Sequence, residues 1–113
     1  MQYVVRGEFI EETLAGKTSE ESAMYIQQVV KPSLEALWNL AQEEKIFGGV
    51  VAGARECAFV IDADSNTEVG RVLRSLPFWG ATRWDISPLQ TFQSALDQDR
   101  EAIQAMREMV VSH

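Results

Sequence analysis

Ile46-Phe47-Gly48-Gly49-Val50-Val51-Ala52-Gly53-Ala54-Arg55-Glu56-Cys57-Ala58-Phe59-Val60-Ile61-Asp62 is the stretch that decides the fold. It reads as two successive strands, residues 46–53 and 54–62, with Gly53-Ala54-Arg55-Glu56 suited to a tight hairpin turn. Gly48 and Gly49 weaken the first strand and mark it as an edge or a bulge. The run Cys57-Ala58-Phe59-Val60-Ile61 is almost wholly apolar, the pattern of a strand covered on both faces.

Helical signal flanks this hairpin on both sides. Upstream, Thr18 or Ser19 caps a helix, with Glu21 placed to complete a capping box with Thr18, and the signal runs to about Lys45. Ile26, Val30, Leu34, Leu37, Trp38 and Ala41 keep the three-and-four spacing of a buried stripe. Pro32 interrupts it and is expected to kink or split the helix near Lys31. Downstream, Asp64, Ser65 and Asn66 cap a short helix over 67–76, with Val69, Val72, Leu73 and Leu76 apolar, and Pro77 stops it. Farther out lie a first strand over 2–10 and a last over 81–87. Tyr3, Val5, Gly7 and Phe9 share one face of the first strand; Val4, Arg6, Glu8 and Ile10 share the other with Gln2. A final helix, with Phe92, Leu96, Ile103, Met106 and Val110 on one face, starts near Thr91, or at Ser87-Pro88 with Gln90 closing a capping box. The order is β-α-β-β-α-β plus a helix, which is the ferredoxin-like α+β pattern. One domain is expected over 1–113, a core of 1–90 with 91–113 as an added helix.

Bulk properties narrow the function. Apolar residues make up 46% and charged residues 24%, the balance of a globular chain. A net charge of −7, with the basic residues scattered, argues against nucleic-acid binding. Cys57 is the only cysteine and His113, at the last position, the only histidine, so neither a disulfide nor a metal or haem site is expected. The N-terminus lacks the charged and apolar regions of a signal peptide, and no apolar run reaches membrane-spanning length. The cytosol is the expected location.

A sheet with helices on one side leaves its other face to be covered. Val4, Ile10 and the apolar residues of 57–61 make that face too apolar for open water, so a second copy packing sheet to sheet is expected. On it would stand Arg6, Glu8, Arg83 and Asp85, with Glu56 nearby. Enclosed charges need partners and acquire shifted pKa values suited to proton transfer. Glu8 is therefore the candidate base and Arg6 or Arg83 the candidate anion holder. The alternative is that these four form cross-strand ion pairs of little energetic weight. Tyr3, Trp38, Trp79 and Trp84 either wall a pocket for a planar ligand or pack the core; Trp79, in a connection after Pro77, is the best pocket candidate and Trp38 sits on a buried stripe. Cys57, without a histidine to activate it, reads as a buried thiol.

The segment Asp62-Ala63-Asp64-Ser65-Asn66-Thr67-Glu68-Val69, continuing through Val72-Leu73-Arg74-Ser75-Leu76-Pro77-Phe78, resembles the muconolactone isomerase family. Tyr3-Val4-Val5-Arg6 and Trp84-Asp85-Ile86 also fit that family's first and last strands. The resemblance implies a dimeric α+β barrel, a homo-oligomer that shifts a proton on a small lactone or organic acid without a cofactor, or else a non-catalytic ligand-binding or assembly protein of the same fold. Glu8, Arg6 and Arg83 are the residue types such chemistry requires; taken with the sheet-face reading, Glu8 and Arg6 are the candidate catalytic residues and Arg83, Asp85, Glu56 and Trp79 the candidate ligand-binding ones. The departures are Val4, where the family usually has His, Phe47-Gly48-Gly49, where it has Trp, Arg and His, and a longer terminal helix.

Overall fold

Residues 1–111 are described by a computed structural model, and His113 lies outside them. Strict alternation produces β1 (Gln2–Phe9), with Tyr3, Val5 and Phe9 buried and Arg6 and Glu8 exposed. The hairpin forms β2 (Ile46–Val50) and β3 (Glu56–Asp62), both shorter at the turn than expected. Residues 51–55 make the reversal: the Val51 N–H donates to the Glu56 carbonyl at 2.9 Å, and Gly53 sits at φ 79°, which favours glycine. β4 (Thr82–Pro88) completes the sheet. The order β2-β3-β1-β4 is antiparallel throughout, as the ferredoxin-like α+β pattern requires, with β2 at one edge.

The long helical region is three pieces. α1 (Ser19–Tyr25) carries the expected capping box: the Glu21 N–H donates to Thr18 Oγ1 at 3.1 Å and the Thr18 N–H to Glu21 Oε1 at 3.2 Å. A widened π turn follows over Ile26–Val30, and α2 (Lys31–Gln42) continues from it. The helical backbone runs on through Pro32, and the irregularity expected near Lys31 takes the form of this π turn. The Lys31 N–H reaches back five residues to the Ile26 carbonyl, and the π turn absorbs the position where a proline supplies no donor. α3 (Asn66–Arg74) is capped by Ser65, whose Oγ accepts from the Glu68 N–H at 3.2 Å.

These helices cover one face of the sheet. Tyr3, Val5, Phe59 and Ile61 from the strands meet Leu37 from α2 and Val69 and Leu73 from α3. Ser33, fully buried, ties the layers together: its hydroxyl donates to the Val29 carbonyl at 2.7 Å and accepts from the Phe78 N–H at 2.9 Å.

One expectation needs correction. The stripe on the long helix is only partly buried: Leu37 is, whereas Ile26, Leu34 and Trp38 are 41%, 38% and 64% exposed. The π turn shifts the face upstream of α2, and the side-chain-free Gly48 and Gly49 of β2 line the hollow that Trp38 borders. Within one protomer, β3 is covered on one face only, with Cys57, Phe59 and Ile61 buried and Ala58 and Val60 half-buried on the other.

The last helix, α4 (Phe92–Val111), takes the later of the two expected starts, and the Ser94 N–H is capped by Thr91 Oγ1 at 3.0 Å. It leads away from the sheet. The longest extent of the molecule is 73 Å and the radius of gyration 20.1 Å, against about 13 Å for a compact chain of this length.

Candidate functional site

Arg6 and Glu8 alternate with Val5 and Gly7 along β1, so both stand on the face away from the helices. Strand register sets their neighbours. Glu8 lies opposite Arg83 of β4 and Glu56 of β3; Arg6 lies opposite Asp85 and Ala58. Two cross-strand ion pairs result, Arg83 Nη1 to Glu8 Oε2 at 3.6 Å and Arg6 Nη2 to Glu56 Oε2 at 3.5 Å. Five of the six residues expected at a site thus share one face of the sheet.

Trp79 does not join them. It opens the short turn Trp79–Ala81 after α3, with the Arg74 guanidinium 5.7 Å from its ring centre. Its carbonyl accepts from the Trp84 indole N–H at 3.2 Å, which ties it to the helix-covered side of β4. In a single protomer the paired charges also lie open to water: the side chains of Glu8 and Arg83 are 56% and 69% exposed. Pairs this exposed contribute about 0–1 kcal/mol each.

Two half-open apolar recesses lie on the other side of the sheet. An apolar chamber of about 180 Å³ lies between the sheet and the π-turn/α2 region, lined by Phe9, Val30, Leu34, Val50, Cys57 and Phe78 among others, with Gly7 in its wall. A neighbouring hollow of about 310 Å³ lies beneath Trp38 and shares Leu34, Val50 and Cys57 with the first. Burial pushes the Cys57 thiol up from its ordinary pKa, so at neutral pH it is an apolar lining group.

The two sides meet at one end of the sheet. A charged surface depression there is lined by Glu8, Glu11, Glu12, Arg55, Glu56 and Arg83, and it shares Phe9, Ala54, Arg55 and Glu56 with the chamber. Arg55 and Glu11 were not anticipated. Arg55 lies in the hairpin turn and Glu11 in a short helical turn after β1, and a 3.9 Å ion pair brings them together. Nothing in the strand alternation points to either, since turn residues carry no facing rule. The rim sets four carboxylates against two arginines, each arginine already paired with a carboxylate, beside an apolar recess of the kind that takes the body of a small ligand. Among the described residues, no group of three or more His, Cys, Asp or Glu is placed to hold a metal ion, and no helix is long and apolar enough to cross a membrane.

Comparison with known proteins yields a fold. No protein-family profile matches the chain, and no curated protein sequence matches it. Among solved structures it is similar to 5-chloro-2-hydroxyhydroquinone dehydrochlorinase from Burkholderia phenoliruptrix AC1100, in complex with 2,5-dihydroxybenzoquinone. The TM-score is 0.57 at 16% identity, over 82% of this chain and 97% of that one. At that identity the likeness establishes a shared α+β architecture and leaves the chemistry to be argued from the residues.

Proposed function

We propose that this chain binds a small planar organic acid at the charged rim and its adjoining chamber, and shifts a proton on it without a cofactor. The observation that carries the reading is the shared lining of Phe9, Ala54, Arg55 and Glu56, which joins an apolar space to a cluster of arginines and carboxylates. Arg55 and Arg83 hold the anionic substituents, and Glu8 is the base, released from Arg83 when the substrate anion takes its place. Arg6 holds Glu56 away from the reacting carbon and adds positive potential for the charge that develops on the substrate. A hydroxylated ring, the class bound by the dehydrochlorinase, and a small lactone both have the required shape and acidity.

This reading includes a second copy on the open sheet face. Val4, Ala58 and Val60 are only half-buried there, and Phe47 is 84% exposed. Covering these residues also takes Glu8, Arg6 and Arg83 out of water, where their interactions with a substrate strengthen. The existing Glu8–Arg83 pairing favours one alternative, a binding protein that performs no reaction.

The test is a panel of hydroxyquinones, ring carboxylates and unsaturated lactones, with binding measured by calorimetry and proton exchange followed by NMR in deuterated water. Binding of at least one member is expected to weaken roughly tenfold or more in Arg55→Ala, the scale of one lost charged hydrogen bond. Glu8→Gln should slow exchange by about 100-fold or more while binding persists. Binding without exchange selects the non-catalytic alternative. Failure of every panel member to bind, or equal exchange in wild type and Glu8→Gln, defeats the proposal.

A further inference from the structure

α4 presents an apolar surface that its own protomer does not use. Phe92, Leu96, Ile103, Met106 and Val110 are each at least half exposed, at 91%, 55%, 51%, 65% and 77%. The chain as a whole exposes 8502 Å². A compact protein of 12.7 kDa exposes about 6,200 Å², so this chain exposes roughly 2,300 Å² more than a compact one, an excess larger than the ~800 Å² that each partner gives to an ordinary stable interface.

The shape of the stripe narrows what covers it. Ala95 beside Leu96, Ala102 beside Ile103 and Met109 beside Val110 widen it to three positions in seven, with Asp99 standing where a narrow seam would need an apolar residue. That width belongs to a helix lying in a broad apolar groove; a two-stranded coiled coil uses a two-in-seven seam. The body of the protein offers such a groove. Ile26, Leu34, Trp38 and Val50 are exposed apolar residues beside the two hollows between α2 and the β2 edge. The row from Ile26 to Trp38 is about 18 Å long at helical rise, and α4 about 30 Å, so one groove accommodates a good part of one arm. A protomer does not fill its own groove. α4 leaves from β4, at the opposite edge of the sheet from β2, and points away from the body.

We infer that α4 is an exchanged arm: each copy of the chain lays its α4 across the apolar groove between α2 and β2 of a second copy. The exchange is reciprocal, so one contact forms twice and closes on itself as a symmetric dimer. Seated there, the arm roofs both hollows, and the partner becomes part of the wall around the chamber. This contact is separate from packing on the open sheet face and does not depend on the proposed chemistry.

Co-expression of two full-length variants tests it. Chains carrying Ile103→Cys and chains carrying Leu34→Cys are co-purified and treated with a short bismaleimide; Cys57 is buried. The expected result is a covalent dimer from the mixture, linking one chain of each kind, and little from either variant alone. In parallel, light scattering should give a multiple of the protomer mass for wild type. Adding Leu96→Asp to the Ile103→Cys chain should abolish the cross-link to Leu34→Cys, because that arm no longer enters the groove. A covalent dimer from Ile103→Cys alone, with none between the two variants, overturns the proposal in favour of arm-to-arm pairing. A wild-type protomer mass at high concentration, or no cross-linking in the mixture, overturns it outright.

Discussion

Ser33 occupies a position where a hydroxyl is needed and a methyl group would not serve. It is fully buried and provides the hydrogen-bond acceptor for the Phe78 N–H. Ser33→Ala keeps the volume but strands that buried donor, and should lower unfolding free energy by about 1–3 kcal/mol, measured by urea titration. Cys57 differs in that burial itself sets its behaviour. Its thiol pKa is raised chiefly by desolvation, so the neutral form that the fold stabilises is fully present below the unfolded thiol's pKa and is lost as pH rises through the folded value. Labelling by a thiol reagent at pH 7 should accordingly track unfolding and stay slow in the native protein. A rapid native reaction would contradict that burial. At this scale the sequence was informative about the charged residues: alternation alone puts Arg6 and Glu8 on one face of β1, and a strand of the same period brings Arg83 and Asp85 to them. Arg55 and Trp79 lie in turns, as the pattern has them, but the facing of a turn side chain depends on the backbone path, so the pattern did not link Arg55 to the charged face or keep Trp79 from it.

Elements reveal where periodicity fails as a guide. The order of strands and helices could be read because a hairpin between two helical segments leaves few topologies open. The depth of the long helix could not, because the π turn at Ile26–Val30 breaks the phase that a single stripe assumes. Gly48 has a specific role within β2: a Cβ there would strike the Ala58 carbonyl and the Phe59 backbone. Gly48→Ala should therefore loosen the β2–β3 pairing and lower stability by about 1–3 kcal/mol, read as loss of amide protection confined mainly to the hairpin. The start of α1 carries a pH dependence. Hydrogen bonds from Thr18 hold the Glu21 carboxyl below its usual value, so their support is present above the unfolded carboxylate range and is lost as pH falls through the folded one. An acid titration by NMR should show the first turn of α1 fraying, and Glu21→Gln should flatten that response.

The whole molecule is a body with two unsatisfied surfaces, the open sheet face and α4. The sheet face was foreseeable because helices on a single side follow from the order of elements. The projection of α4 was not, because an apolar stripe indicates that something covers a helix and leaves the identity of the cover undetermined. If a second copy packs on the open face, Val60→Lys should weaken that contact by tenfold or more, measured by sedimentation on a chain that also carries Leu96→Asp/Ile103→Asp so that arm exchange does not hold the copies together, with the far-ultraviolet circular dichroism unchanged.

β4 has a free outer margin, and a bare strand margin can recruit another strand and seed an open-ended ribbon. Arg83 and Asp85 stand on that strand, so the side chains put forward for ligand handling also act as sentries against fibre growth. Replacing them with valines to simplify the chemistry would remove that guard, and the altered chain would be prone to precipitate as filaments.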